Sequence, residues 1–500
     1  MLLLCPAVLG AQTLAQKNWA GSGVTIESWW RRAVLYRIDP ARFQDSTGAG
    51  VGDLAGITQR LGYIQSLGAD AIVLAPAADA ASLQPNATGL DGLIRGAADH
   101  HLRLIVALPT PASQSAADDA RFLGLARAWF NQGAAGLYLP TAALTRVDGS
   151  EHIAALLRQL HALANSMPGD HILLAASPPE KADDVLLHAL AQNVQLVERT
   201  PLPALNDAAT LRAALAPSSS TDEDTIGTET KPARRLARRS ATQSAPASLL
   251  VAARVPGQPS AAQQATLERT LAAMLLTTGG AVVIDYGEEL GLLPSPNTPL
   301  LMQWTPANRT EKPSPEKDTA AASEGPPPPS DAFRPYVPPL PRNFFTPPPM
   351  PEVIAVDHPI NPLLDPNAMP GFTSGDAPIV NAPNGATANA LLEDADADSL
   401  LNFYRRLIQL RHSDLALRRG TVTALDEDGA VLWLRSSAPG ANDAALVVVA
   451  NLATQPLSLS SDRLRLHGRS LRTVLGPMPT RSASSLTFAP QSVFLGEAGR

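Results

Sequence analysis

Residues 33–76, AVLYRIDPARFQDSTGAGVGDLAGITQRLGYIQSLGADAIVLAP, decide how the rest of the chain is read. An apolar run, Ala33 to Ile38, leads into a glycine-rich turn. Leu54, Ile57, Leu61, Ile64 and Leu67 then recur at helical spacing from Asp53 to Leu67, and a second apolar run follows from Ala71 to Pro76. Strand, helix, strand is the unit from which a parallel sheet wrapped by helices is built.

The same unit repeats outward along the chain. Further Val/Ile/Leu-rich runs occur at Leu102 to Leu108, Gly136 to Leu139, His171 to Ala175, Val194 to Val197, Ser248 to Ala253 and Ala281 to Ile284. With the first two they make eight candidate strands. Eight βα units over about 250 residues fit a closed (β/α)₈ barrel better than an open, doubly wound sheet. Ala261 to Leu276 carries a helical apolar stripe, and so does Asp398 to Arg411, with Asp398 or Ser399 as its N-cap and Gly420 shortly past its end. Runs at Val431 to Leu434, Ala445 to Ala450 and Leu486 to Leu495 then predict a small antiparallel β-domain.

Two stretches break the pattern. Pro217 to Pro246 is Ser/Thr-rich and acidic, then basic at Arg234, Arg235, Arg238 and Arg239, which reads as a solvated linker. From about Pro294 to Pro370 lies close to half of the 46 prolines, a composition that forms no packed core. The expected plan is a leader at 1–28, a barrel at 29–291 interrupted by a linker at 217–246, a largely disordered Pro-rich insertion at 292–390, the final barrel helix at 391–420 and the β-domain at 421–500.

Composition bounds the function. A chain of 500 residues, 45% of them hydrophobic, can fill a barrel-sized core and a second unit. A net charge of −7 gives no reason to expect a nucleic-acid partner, because phosphate binding needs a concentrated basic surface. Aromatic residues make up 4% of the chain, few for a protein that stacks sugar rings. The single cysteine, Cys5, sits in the apolar stretch Leu2 to Leu9, with small-residue cleavage sites at Leu9-Gly10-Ala11 or Thr13-Leu14-Ala15; the expectation is a signal peptide and a secreted or periplasmic protein, although no Lys or Arg precedes the run. No other apolar run is long enough to span a bilayer.

Several ordered segments resemble one family. Trp29-Trp30-Arg31-Arg32-Ala33-Val34-Leu35-Tyr36-Arg37-Ile38-Asp39-Pro40, with Phe43 and Asp45-Ser46-Thr47-Gly48-Ala49-Gly50-Val51-Gly52-Asp53-Leu54, resembles the opening of glycoside hydrolase family 13 α-glucosidases and trehalose synthases. Asp285-Tyr286-Gly287-Glu288-Glu289-Leu290-Gly291 is similar to the family's YYGEEIG segment, Met302-Gln303-Trp304 to its PMQW, and Leu400 to Ile408 to its SLLNFYRKLI. Asn367 and Gly371-Phe372-Thr373 look like the remainder of the PMQW to NAGF stretch, split by the insertion.

The resemblance implies a retaining mechanism, in which a carboxylate attacks the anomeric carbon and a carboxylic acid protonates the leaving oxygen, the two about 5 Å apart. The family's GVDGFRID corresponds to Gly133 through Pro140, so Tyr138 stands for the orienting Arg and Pro140 for the nucleophile. LLAEA corresponds to Leu173 through Ser177, with Ala176 in place of the acid. NHDQPR corresponds to Val255 through Ser260, with Gly257 in place of the third carboxylate. DLVINH corresponds to Ala107 through Ala112, without its Asp, Asn or His. The GYD segment has no counterpart between Pro76 and Leu90, and the loop domain after strand three shrinks to about Thr110 to Asp119. Of the metal loop after strand one, Asp45 and Asp53 match, but Thr47 and Ala49 stand where oxygen ligands belong; Ca²⁺, which takes six to eight oxygens, is the cofactor to consider, against a plain turn capped by Asp53.

Other carboxylates near strand ends are Asp39, Glu180, Glu198, Asp285, Glu288 and Glu289, of which Glu198 closes the sixth strand. The nine histidines show no metal-ligand spacing, and no nucleophile elbow or phosphate loop occurs. The expectation is a carbohydrate-metabolism protein of α-amylase type without hydrolytic activity, acting as a scaffold or binding module for a protein or α-glucan partner. The alternatives are an active retaining α-glucosidase or transglycosidase using non-standard residues, and an α-glucan-binding protein.

Overall fold

In the computed structural model, residues 28–76, 83–109, 115–140, 150–178, 182–198, 243–245, 261–293, 300–306, 371–375, 381–425, 427–438 and 441–499 are described. The leader, the sequence-predicted strand Ser248 to Ala253, the positions Gly257 and Glu180, most of the 217–246 linker and most of the Pro-rich insertion lie outside them.

Eight parallel strands form the first sheet: β1 (Val34–Ile38), β2 (Ala71–Leu74), β3 (Arg103–Ala107), β4 (Gly136–Leu139), β5 (Ile172–Ala175), β6 (Leu196–Glu198), β7 (Gln243–Ala245) and β8 (Val282–Asp285). Their order, β7-β6-β5-β4-β3-β2-β1-β8, is that of a (β/α)₈ barrel, with β8 paired to β1; among the described residues no ladder joins β7 to β8. The seventh strand begins inside the stretch read as linker, because Gln243-Ser244-Ala245 lacks the branched apolar residues that mark the other seven.

Alternation along each strand sorts the side chains into two cores. Leu35, Ala71, Val73, Ile105, Leu174, Leu196 and Val283 point inward and fill the barrel axis. Val34, Tyr36, Ile72, Val106, Leu137, Leu173 and Ile284 point outward against the helices. These are α1 (Pro40–Phe43), α2 (Leu54–Gln59), α3 (Leu61–Leu67), α4 (Leu90–Asp99), α5 (Ala116–Asn131), α6 (Ser150–Ser166), α7 (Asp184–Asn193), α8 (Ala261–Thr277), α9 (Ala390–Ala395), α10 (Leu400–Ser413) and α11 (Leu415–Arg419).

The helix predicted from Asp53 to Leu67 is two helices meeting at Arg60, whose buried guanidinium stacks 4.1 Å from the Trp304 ring centroid and whose Nε donates to Gln44 Oε1 at 2.6 Å. The helix predicted from Asp398 to Arg411 is α10, capped by Ser399, which accepts from Asn402 N, and the 391–420 span given to the final barrel helix also takes in most of α9 and all of α11. The described edges of the Pro-rich segment are not loose: Met302, Gln303, Trp304, Phe372 and Thr373 are buried.

The C-terminal unit has two antiparallel sheets. One runs β13 (Leu471–Leu475), β16 (Ser492–Ala498), β11 (Ala444–Asn451), β10 (Ala430–Ser436), β9 (Val422–Leu425); the other β12 (Leu457–Ser460), β15 (Ser485–Phe488), β14 (Thr480–Arg481). The run Leu486 to Leu495 is divided between β15 and β16 by a turn at Ala489 to Gln491, where Gln491 takes a φ of 44°.

Candidate active site at the barrel mouth

Reactive groups of a (β/α)₈ barrel are displayed at the C-terminal ends of its strands. On β1, Arg37 has the same parity as Leu35 and so points into the barrel, one layer nearer the mouth. It lies beside Asp285 on β8, its register partner. The guanidinium Nε is 2.5 Å from Asp285 Oδ1 and Nη2 is 2.9 Å from Oδ2, a bidentate pair. Nη1 reaches across the axis to Glu198 Oε1 on β6 at 2.7 Å and to the Tyr138 hydroxyl on β4 at 3.3 Å. Tyr138 also donates to Glu198 Oε2 at 3.5 Å. Four strands are thus tied at their upper ends by one cation.

Burial sets the electrostatics. Glu198 is 6% exposed, and desolvation raises its carboxyl above the ordinary range despite the opposing pull of Arg37. Burial works against the charge on Arg37 too, but Asp285 and Glu198 outweigh it and hold the guanidinium more firmly protonated than usual. Burial, followed by Glu198, pushes the Tyr138 phenol upward. The cluster carries two carboxylates and one guanidinium, and each carboxylate is already engaged.

Of the positions assigned by resemblance to catalysis, Tyr138 belongs to the cluster, Pro140 and Ala176 bring no side-chain group to it, and Gly257 lies outside the described residues. Pro140 follows β4 and offers no nucleophile. Ala176 is buried in the axial core after β5, its amide donating to Leu139 O. Next to it the Ser177 hydroxyl donates to Glu198 O at 3.0 Å. Arg37 was not singled out from the sequence. Its signal was available in parity: a cation in phase with the inward residues of a strand demands buried anions nearby.

The remaining carboxylates separate by role. Glu289, fully buried, accepts from the hydroxyls of Tyr36 and Tyr63, both at 2.6 Å, and burial raises its carboxyl. Glu288 accepts from the Tyr404 hydroxyl at 2.9 Å and from Asp285 N at 3.2 Å. Both fasten β8 to its surroundings on the helical side. Asp39 pairs with Arg42 at 3.0 Å in a groove beside the mouth.

In the loop after β1, Asp45 Oδ1 accepts from Thr47 N, Thr47 Oγ1 and Gly48 N, and Oδ2 from Gly50 N and Thr373 Oγ1. Asp53 caps α2 through Gly56 N at 2.7 Å and binds Ser46 N and Oγ. The loop's own donors therefore occupy the oxygens that a cation would take, and among the described residues no three His, Cys, Asp or Glu side chains gather to hold a metal. The donor set does not fit Ca²⁺.

Comparison with known proteins agrees with this architecture. The family model described as alpha amylase, catalytic domain, matches residues 37–88. A probable alpha-glucosidase of Rhizobium meliloti is 60% identical over 48 residues, 10% of this chain and 9% of that protein. Maltase A2 of Drosophila melanogaster is 46% identical over 70 residues, 14% of this chain and 12% of that one. The chain thus matches about a tenth of the length of its curated relatives. Among solved structures, the isomaltulose synthase of Klebsiella sp. LX3 superposes with a TM-score of 0.61 at 15% identity, over 95% of this chain and all of that one, and the trehalose-6-phosphate hydrolase of Bacillus licheniformis with 0.59 at 14%, over 94% and all. At those identities the likeness is one of fold. A (β/α)₈ barrel with a C-terminal antiparallel β-domain, opened by this N-terminal segment, defines a carbohydrate-enzyme fold of α-amylase type. The resemblance to glycoside hydrolase family 13 thus rests on residues 37–88 in sequence and on the fold over the rest of the chain. Among the described residues no helix is long and apolar enough to cross a membrane.

Proposed function

We propose that this chain is a family 13 barrel that does not hydrolyse glycosides and serves as a scaffold or binding protein in carbohydrate metabolism. The observation that carries this is the state of the mouth: the two carboxylates that converge there, Glu198 and Asp285, are both bound to Arg37, and the positions that the resemblance assigns to nucleophile and acid hold Pro140 and Ala176. A retaining nucleophile must reach the anomeric carbon, and an acid must face the leaving oxygen. Here each carboxylate faces a guanidinium instead. Fold without the site does not carry the reaction.

A second reading draws support from the same cluster. Glu198, its carboxyl raised by burial, has the character of a general acid, and Asp285, 30% exposed, lies on the other side of Arg37. The pair would work as an α-glucosidase only if substrate displaced Arg37 from between them.

One assay separates the two. Pure protein is incubated with an aryl α-glucoside and with maltose, alongside the Glu198→Gln and Asp285→Asn variants. No turnover above the buffer rate in any of the three is the expected result. Turnover by the unmodified protein that falls at least a hundredfold in both variants would establish the second reading and overturn the first.

A further inference from the structure

The chain that leaves the barrel after β8 and the chain that returns to it at 371 are fastened to one short segment just after β1. On the way out, Met302 N donates to Arg42 O at 3.0 Å and the Trp304 indole N–H to Phe43 O at 2.9 Å. On the way back, Gln44 Nε2 donates to Gly371 O at 3.1 Å and to Phe372 O at 2.9 Å, and Asp45 N donates to Phe372 O at 2.9 Å. Consecutive residues, 42 to 45, thus hold both ends of the Pro-rich stretch. The contact continues into the loop that follows. The buried Thr373 hydroxyl donates to Asp45 Oδ2 at 2.6 Å and accepts from Gly375 N at 3.0 Å, and Gly375 lies so near Gly48 that a Cβ on it would stand 1.7 Å from Gly48 O.

The carboxylate of Asp45 gives residues 45–53 the shape that this fastening needs. The amides of Thr47, Gly48 and Gly50 converge on it, a nest of the kind that closes around an anion, and the anion is the chain's own. Gly48 and Gly50, both at a φ of 83°, let the loop turn inward to do so. The Thr47 hydroxyl donates to Oδ1 at 3.0 Å, beside the amides of Thr47 and Gly48 on the same oxygen. Positive ends of dipoles therefore point at the place where a hard cation would need lone pairs. Ala49 contributes a methyl group and no side-chain oxygen. The loop's second carboxylate, Asp53, is engaged by Ser46 and by the first turn of α2.

We infer that the Thr47 hydroxyl has taken the place of a cation on Asp45 Oδ1, so that the β1 loop is a metal-free clasp for the outgoing and the returning chain. That positions 47 and 49 would supply ligands in a metal-binding loop comes from the family resemblance. The fastening itself comes from the bonds of residues 42–45 and of Thr373. It is independent of the state of the mouth, so the presence or absence of glucoside turnover leaves it untouched.

Hydrogen exchange of the full chain, read by mass spectrometry across residues 41–53 and 371–375, tests this together with thermal melting, in millimolar Ca²⁺ and in excess EGTA. For the unmodified protein both readouts should be the same in the two buffers. Thr47→Val removes the hydroxyl and keeps the shape of the side chain; exchange across both segments should rise about tenfold or more, the loss of one hydrogen bond to a charged group, while β10 and β11 exchange as before. Thr47→Asn combined with Ala49→Asp places oxygen ligands beside Asp45, and exchange across both segments should then slow about tenfold when Ca²⁺ is added. Faster exchange or lower melting of the unmodified protein in EGTA would reveal a resident cation and overturn the inference. So would unchanged exchange in Thr47→Val, or a folded double variant that does not respond to Ca²⁺. Should the double variant fail to fold, the chelator comparison and Thr47→Val still decide between clasp and cation site.

Discussion

Asp45 is 1% exposed and receives five hydrogen bonds, from Thr47 N and Oγ1, Gly48 N, Gly50 N and Thr373 Oγ1. Burial alone would raise its carboxyl, but the donors, Thr373 and Gly50 foremost, outweigh it and hold the group below the usual carboxylate range. A depressed carboxylate contributes stability that is present above its unfolded value near 3.9 and lost as pH falls through the lower, folded one. Asp45→Ala strands five donors around a hole and is expected to cost about 3 kcal/mol at neutral pH, read by urea unfolding. The gap between the variant and the unmodified protein should close as pH drops below about 4. A gap that stays constant with pH would mean that the hydrogen bonds are made equally well by the neutral acid, and that charge has no part in ordering the loop.

At the scale of elements, most of the barrel was legible because a fully buried strand needs only an uninterrupted apolar run. β4 was read to the residue, and β1, β2, β3, β5 and β8 within a residue or two at either end. β7 was not, since Gln243-Ser244-Ala245 has no such run. Of the site, Glu198 was legible as a carboxylate closing the sixth strand, but Arg37, which ties it to Asp285, looked like one more polar residue until its parity was placed. Helix α9 shows another feature that spacing hides. Glu393, on this helix, accepts from Leu401 N at 3.0 Å at the start of α10. Burial pushes its carboxyl up to about 8, the Leu401 amide pulls against that, and Glu289 and Glu268 add to the rise. A raised carboxyl stabilises the fold fully below its unfolded value near 4.3, and that contribution is lost as pH climbs through 8. Glu393→Gln keeps the acceptor without the charge. Its melting temperature should match the unmodified protein at pH 5 and exceed it by a few degrees at pH 9; equal melting at both would show that Glu393 ionises freely in the folded state.

Across the whole molecule, the β-domain is not tethered by the chain alone. Arg435 on β10 is 4% exposed and donates to the carbonyls of Ala416, Leu417 and Thr278, while Arg411 on α10, also 4% exposed, donates to those of Leu276, Gly280 and Arg32. Trp433 adds a bond from its indole N–H to Thr277 Oγ1 at 2.8 Å. Together they gather the C-terminal end of α8, the segment entering β1, the last helices and β10 into one seam. Desolvation lowers both guanidinium values to about 10, still above neutral pH, so both remain charged and the carbonyl dipoles stand in for counter-ions. Removing either side chain takes a buried guanidinium from three carbonyls, of which Ala416 O keeps a second donor, Gly420 N, a cost of about 2 kcal/mol or more. The seam therefore couples two units that each have a core of their own, the axial core and the cluster around Leu434, Val447 and Phe494. In scanning calorimetry the unmodified chain should melt in a single transition. Arg411→Ala combined with Arg435→Ala should split it into two, the β-domain parting from the barrel. One transition, merely shifted downward, would mean that the packing of Trp433 on α8 suffices to hold the units together and that the arginines add stability without adding cooperativity.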